Sequence, residues 1–300
     1  MRKDKNRKDS VKPHKAGKSF RENRPAGAGS KAGYAQKTSE TGRFYGDTGF
    51  GDNSYCDANI IEGRNPVLEA LRSGRTINKI LVNRGQKEGS IKQIIAMARD
   101  MKLVVQEVDK AKLDNLSLTG AHQGVIALAS PKDYVEVDDI LNAALEKGEA
   151  PFIVILDGIT DGHNLGSIIR TAEAAGVHGV IIPKRRAVGI NSVVAKASAG
   201  AVEYVPVARV TNIAQTIEEL KKKNVWVVGT DSNGDRPFYE VDYKGAIAIV
   251  IGSEGEGMSR IVRESCDFVV NIPMTGSVSS LNASVAAAIV IYEAMRQKMR

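Results

Sequence analysis

The sequence predicts an α/β protein of two globular parts behind a basic tail: a small mixed α/β unit, then a larger domain on a mainly parallel sheet. Three observations support this. A chain of 300 residues that is 42% hydrophobic is long enough for two buried cores. The net charge of +7 is confined to one end, since residues 1–55 hold 13 Lys and Arg against 6 Asp and Glu while the rest balances at 29 and 29. After Pro151 the pattern changes to continuous apolar runs alternating with helical periods.

The tail, residues 1–56, is rich in Lys, Arg, Gly, Ser and Asn, with scattered single aromatics and no hydrophobic period, so it is expected to be disordered. Such an arm suits a polyanion, because Lys and Arg gain affinity by displacing counterions from phosphates; a solubilising extension is equally compatible with it. No apolar run reaches the 18 residues of a spanning helix and no signal-peptide stretch follows the basic start, so a cytoplasmic protein with no membrane partner is expected. Cys56 and Cys266 lie far apart and make no metal spacing, so no bound metal is expected and both are read as reduced thiols.

Order is expected from about Asn59. Val67, Leu68 and Leu71 share a helical face, Lys79 to Asn83 is strand-like, and Ile91, Ile94, Ile95 and Ala98 follow the i, i+3, i+4, i+7 rule. A strand from Leu103 to Val108 and a final apolar run from Gly124 to Ala129 close the small unit, residues 57–131. Residues 132–149 are acidic, carry one short amphipathic helix around Ile140, Leu141, Ala144 and Leu145, and are read as a linker. The larger domain, residues 150–300, offers strands at Phe152 to Leu156, Gly179 to Ile182, Val225 to Gly229, Ala246 to Ile251 and Phe268 to Ile272. Helices fit between them, including one with Ile213, Ile217 and Leu220 on a face and a long Ala- and Ile-rich one from about Leu281 to Lys298. Strands this uniformly apolar are buried on both faces, which requires a parallel sheet covered by helices.

Ligands of such sheets bind at the carboxyl ends of the strands. Three segments place polar, Gly-rich sequence there: LDGITDGHNLGSIIR (Leu156 to Arg170), IGSEGEGM (Ile251 to Met258) and IPMTGSVSSLN (Ile272 to Asn282). None ends in the Lys and Ser or Thr of a phosphate-cradling loop, and none has the G-x-G-x-x-G spacing of a dinucleotide fold, which disfavours kinase and dehydrogenase chemistry.

In order and spacing these segments resemble the three signature motifs of the SpoU/TrmH (SPOUT) family of RNA methyltransferases. The stretches HNLGSIIRTAEAAGVHGVIIPK, GSEGEGM and IPMTGSVSSLNASVA are most similar to the branch that methylates a guanosine of 23S rRNA, and GAHQGVIAL (Gly120 to Leu128) is similar to the end of its small RNA-binding domain. The likeness covers about residues 58–298.

It implies a C-terminal sheet threaded into a trefoil knot, preceded by a small L30e-like RNA-binding domain. It also implies S-adenosylmethionine as cofactor, a homodimer, and 23S rRNA or an assembling large ribosomal subunit as partner. Carried over by motif position, Asn164, Arg170, Glu254, Ser280 and Asn282 would form the catalytic site, and Gly252, Ile272 and Leu281 would line the cofactor pocket. Arg64, Asn65, His122 and Gln123 would face RNA. The activity implied is 2'-O-methylation of a guanosine ribose. A tRNA or other rRNA-loop methyltransferase of the same family, and a ribosome-assembly protein without activity, stay open.

Each residue has a plainer reading: Asn164 and Asn282 as helix caps, Glu254 as a structural acid, Gly255 and Gly257 as turn residues, and His163 and His178 as structural histidines. A guanidinium keeps its proton near neutrality and is a poor proton acceptor, so Arg170 is expected to clamp an RNA phosphate rather than act as a base. One departure stands out: the family usually has Asp-Pro before His-Asn, and here it is Asp161-Gly162, which should loosen the loop.

Overall fold

The computed structural model describes residues 59–86, 88–278 and 280–299; the tail lies outside them. The first sheet has four strands, β1 (Asn59–Glu62), β2 (Ile77–Asn83), β3 (Val105–Val108) and β4 (Val125–Ala129), in the order β1-β4-β2-β3. β4 pairs antiparallel with both β1 and β2, whereas β3 joins β2 in parallel. Helices α1 (Arg64–Arg72) and α2 (Ser90–Asp100) bury Val67, Leu71, Ile91 and Ile94 against one face of this sheet. The short α3 (Lys110–Leu116), which the sequence pattern did not reveal, buries a single apolar residue, Leu113, on the other face.

The second sheet is wholly parallel and has seven strands. These are β5 (Phe152–Asp157), β6 (Gly179–Pro183), β7 (Val207–Val210), β8 (Trp226–Thr230), β9 (Arg236–Pro237), β10 (Ile247–Gly252) and β11 (Phe268–Asn271), in the order β7-β6-β5-β10-β8-β11-β9. Alternation along the central strands feeds two cores: Phe152, Val154, Ile249 and Ile251 enter one, Ile153, Ile155, Ala248 and Val250 the other. Helices α5 (Gly162–Ala174), α6 (Ser192–Ala197) and α9 (Ala283–Lys298) cover the first core. α4 (Val137–Glu146), α7 (Ile213–Lys222) and α8 (Arg260–Ser265) cover the second. Both faces are sealed, as the uniformly apolar strands required.

The acidic stretch read as a linker is more than that. Val135 bridges to Ala208 on edge strand β7, and α4 buries Ile140 and Leu141 in the core beneath the sheet, so the segment belongs structurally to the larger layer. The two sheets also meet through buried polar contacts. Arg75 Nη1 lies 2.5 Å from Glu203 Oε1, with side chains only 8% and 2% exposed, and Lys132 Nζ donates to the Glu203 carbonyl at 3.0 Å. Lys196 Nζ donates to Thr119 Oγ1 at 2.7 Å and to the Ala121 carbonyl at 3.0 Å.

Helix α5 explains Gly162. A Cβ there would stand 3.1 Å from Val193 Cγ1, and one on Gly166, a turn later, 2.5 Å from the Ala197 methyl and 2.8 Å from the Val194 carbonyl. Glycine at both positions lets α6 lie almost on the α5 backbone. Gly162 is the first residue of α5 and faces a close-packed neighbour, with Asp161 capping the helix by accepting from the His163 amide at 3.1 Å.

Candidate active site

The three Gly-rich segments converge. A cavity of about 290 Å³ opens at the carboxyl ends of β8, β10 and β11, and its walls include Gly252, Ile272, Ser280 and Leu281. All of the cofactor-pocket residues expected from the motifs thus border one space. Gly252 ends β10 where the chain doubles back: a Cβ there would meet the Gly257 carbonyl carbon at 2.2 Å and the Met258 nitrogen at 2.3 Å, so only glycine fits. Ser253 and Gly257 exchange backbone hydrogen bonds at 2.9 and 3.0 Å, closing the loop into a tight hairpin.

At the rim, Asn164, Glu254 and Asn282, drawn from all three segments, form one network. Asn164 Nδ2 donates to Glu254 Oε2 at 3.1 Å; Asn282 Nδ2 donates to Asn164 Oδ1 at 2.9 Å and lies 3.4 Å from Glu254 Oε2. Asn164 is buried, and Glu254 and Asn282 are exposed. The plainer reading of Asn282 holds as well, since its Oδ1 accepts from the Ser284 amide at 3.0 Å and the Val285 amide at 3.4 Å, capping α9. Capping and site geometry are the same interaction here, because the cap fixes the rotamer that turns Nδ2 toward Asn164.

Arg170 does not join this network. It is the ninth residue of α5, exposed and without a partner among the described residues, about 9 Å further along the helix than Asn164. Of the two histidines, His163 is exposed, whereas His178 is buried; its Nδ1 accepts from the Phe152 amide at 3.0 Å and its Nε2 lies 3.0 Å from Glu149. Burial holds its pKa below the usual imidazole value.

Several residues that shape the site were not apparent from the sequence. Asp157 Oδ2 accepts from the Ser259 amide at 2.8 Å, tying the Gly-rich hairpin to β5. Ser284 Oγ donates to Asn282 Oδ1 at 2.6 Å. Asp231 and Glu256 line the cavity with Glu254, and no Lys, Arg or His stands in that lining among the described residues. A carboxylate at the carboxyl end of a parallel strand, as at Asp157 and just beyond β8 at Asp231, was the available signal.

On the smaller sheet, Arg64 and Gln123 are clipped together: Gln123 Oε1 accepts from the Arg64 amide at 3.0 Å and Arg64 Nε donates to the Gln123 carbonyl at 3.2 Å. They border a second, open depression with Asn83, Gln86 and Lys110, while Asn65 is exposed at the start of α1. His122 borders the same depression, with its ring largely buried. It is 5% exposed, its Nδ1 accepts from the Gly124 amide at 2.9 Å, and its Nε2 donates to Asp114 at 2.9 Å, so the ring is fixed within the loop that lines the depression. Buried Glu62 supports the same loop by accepting from the Leu118 and Thr119 amides, both at 3.0 Å.

An all-parallel sheet with a glycine-walled cavity at its carboxyl edge, joined to a small sheet with a polar depression, marks the class of α/β proteins whose ligand site lies at the strand ends. Family comparison makes this particular. Residues 151–292 match the SpoU rRNA Methylase family and residues 60–135 match a domain described as RNA 2'-O ribose methyltransferase substrate binding. YacO of Bacillus subtilis (strain 168), whose name places it with TrmH family tRNA/rRNA methyltransferases, is 50% identical over 236 residues, 79% of this chain and 94% of that protein. A Staphylococcus aureus (strain MSSA476) protein named for the same family is 52% identical over 239 residues, covering 80% and 96%. Among solved structures, the SpoU methyltransferase AviRb from Streptomyces viridochromogenes, in complex with the cofactor AdoMet, superposes with a TM-score of 0.69 at 27% identity, covering 83% of this chain and 94% of its own. The chain belongs to the SpoU/TrmH family of RNA methyltransferases.

Proposed function

We propose that this protein transfers a methyl group from S-adenosylmethionine to the 2'-hydroxyl of a guanosine ribose in 23S rRNA, in the peptidyl-transferase loop, as the RlmB branch of the family does. The observation that carries this reading is the Asn164–Glu254–Asn282 network at the mouth of the 290 Å³ cavity. The walls suit the cofactor in two respects. Gly252 provides main chain at a point where any side chain would be excluded, and a lining with Glu254, Glu256 and Asp231, the last 3.6 Å from Arg263, favours a positively charged ligand. S-adenosylmethionine, when bound, supplies an electrophilic methyl on a cationic sulfur.

The protein's own contribution is positioning. Asn164 and Asn282 hold the Glu254 carboxylate by donating to it, which fixes an acceptor where a ribose hydroxyl would approach. Ser280, exposed, adds a hydroxyl to the cavity lining. Arg170, solvent-facing and unpaired among the described residues, serves as the phosphate clamp. Arg64, Asn65 and Gln123 grip RNA from the smaller sheet, and His122 supports that grip by shaping the loop. Single-stranded or looped RNA is the class such a surface reads.

The protein acts as a homodimer in the cytoplasm. Val285 and Tyr292 are exposed seven residues apart on α9, with exposed Met299 a further seven on at its C-cap; Met274 and Val278 of the cavity loop are exposed as well. A helical stripe of this kind calls for a covering surface, and a second copy supplies it. No helix among the described residues is long and apolar enough to cross a membrane.

Mapping 2'-O-methylation on 23S rRNA and tRNA from cells with and without the gene tests the assignment. Loss of one guanosine modification in the peptidyl-transferase loop is expected. Loss of a tRNA site instead would move the protein to the tRNA branch, and no lost site together with no S-adenosylmethionine binding by calorimetry would leave a non-catalytic RNA-binding protein.

A further inference from the structure

Beyond the small sheet, one surface of the larger domain carries positive charge that no described group neutralises. The loop between β6 and α6 begins Lys184-Arg185-Arg186; all three side chains are exposed, and none forms an ion pair or hydrogen bond among the described residues. The segment is built from beneath. The Lys184 amide donates to the Val210 carbonyl at 2.8 Å, and Arg209 Nη2 donates to the Lys184 carbonyl at 3.1 Å. Tyr134 Oη accepts from the Ile190 amide at 2.9 Å, and the Arg209 guanidinium lies over the Tyr134 ring at 4.9 Å. The Val188 amide donates to the Ile159 carbonyl at 3.0 Å, which joins this loop directly to the segment leading into Asn164.

Arg186 also has φ +56°, a left-handed conformation that costs a non-glycine residue about 1 kcal/mol or more. Glycine would sit there without strain, so an exposed, strained arginine at this position points to use of its charge. β6 lies two strands from β10 in the sheet, about 10 Å away, so the cations stand at the same carboxyl edge as the cavity.

We propose that Lys184, Arg185 and Arg186 form a preshaped phosphate-binding surface that grips the RNA backbone next to the target nucleotide, independently of the tail. This inference rests on the RNA-methyltransferase reading and adds a substrate-binding surface to it.

The test is RNA binding by the full-length protein, with poly(U) and an unmodified 23S rRNA transcript as probes, as a function of salt. Removing one cation that neutralises a phosphate flattens the slope of log K against log salt by about 0.7 on single strands. The triple variant K184Q/R185Q/R186Q should lose about two units of slope and about tenfold or more in affinity at moderate salt. S-adenosylmethionine binding by calorimetry should be unchanged, which shows that the variant is folded. Arg186→Gly separates the surface from folding: thermal stability should hold or rise as the left-handed strain is relieved, while the slope falls by about 0.7. R185K/R186K should keep the wild-type slope. Lys222→Gln, exposed at the end of α7 on the opposite edge of the sheet, should change nothing. An unaltered slope in the triple variant, with wild-type RNA binding and methylation intact, overturns the surface alone. Failure of the wild-type protein to bind either RNA overturns both this surface and the parent reading.

Discussion

At the residue scale, the site depends on which hydrogen-bonding partner is a donor. Asn164 works because its Nδ2 meets the Glu254 carboxylate at 3.1 Å. Asn164→Asp would set two carboxylates against each other, and like charges this close cannot both ionise without cost. Turnover near pH 7.5 should fall more than tenfold, with partial recovery as the pH drops and one carboxyl takes a proton; a flat pH profile at wild-type rate would exclude the network from function. Arg170→Lys tests the clamp: a point charge cannot reproduce a two-pronged grip on phosphate, so about a tenfold or larger loss in kcat/KM is expected, and near wild-type turnover would refute it. His178 makes a separate prediction. Burial lowers its folded pKa below the unfolded value of 6.5, so the unfolded chain takes up a proton first and stability is lost as the pH falls through that region. In His178→Asn, an amide oxygen can still accept from the Phe152 amide, and the change in Tm between pH 7 and pH 5 should shrink.

At the scale of elements, the pairing of α5 with α6 sets the position of Asn164. Gly166 allows a separation that a single methyl would disrupt, since its Cβ would fall 2.5 Å from Ala197 and 2.8 Å from a backbone oxygen. Gly166→Ala should therefore cost about 1–3 kcal/mol in urea denaturation and weaken turnover by shifting the start of α5; a neutral substitution would show that the helices can part freely. Long periodic elements were legible in the sequence. α7 buries Ile213, Ile217 and Leu220 as its spacing required, and α9 begins two residues from where the apolar pattern placed it. The short elements α3, α6 and α8 were not, because six or seven residues hold too few apolar positions to establish a period, and their helicity comes from what they pack against.

At the scale of the molecule, a buried ion pair is one of the contacts that join the two sheets. Removing Arg75 leaves the buried Glu203 carboxylate with Lys132 alone, 3.8 Å from its Oε2, which costs about 1–3 kcal/mol, less than stranding a buried charge outright. Arg75→Ala should lower stability by that order and make the segment between the sheets, near Pro131, more open to limited proteolysis, while cofactor affinity changes little. Unchanged protease resistance would mean that the other contacts, Lys196 to Thr119 and Tyr204 to Glu69, suffice. Neither Arg75 nor Glu203 stood out in the sequence, since a charge 128 residues from its partner leaves no local pattern.

The sequence by itself determined the class of the fold and the three polar loops at its carboxyl edge, because apolar periodicity and Gly-rich punctuation are local properties that one dimension records. Tertiary structure alone decided that Asn164, Glu254 and Asn282 share hydrogen bonds, that Asp114 and Gly124 hold the His122 ring, that Arg170 stands apart, and that Gly162 and Gly166 are spacers. Each of these follows from the distance between segments far apart in the chain, and a side chain's role there is set by whichever neighbour the packing brings within about 3 Å.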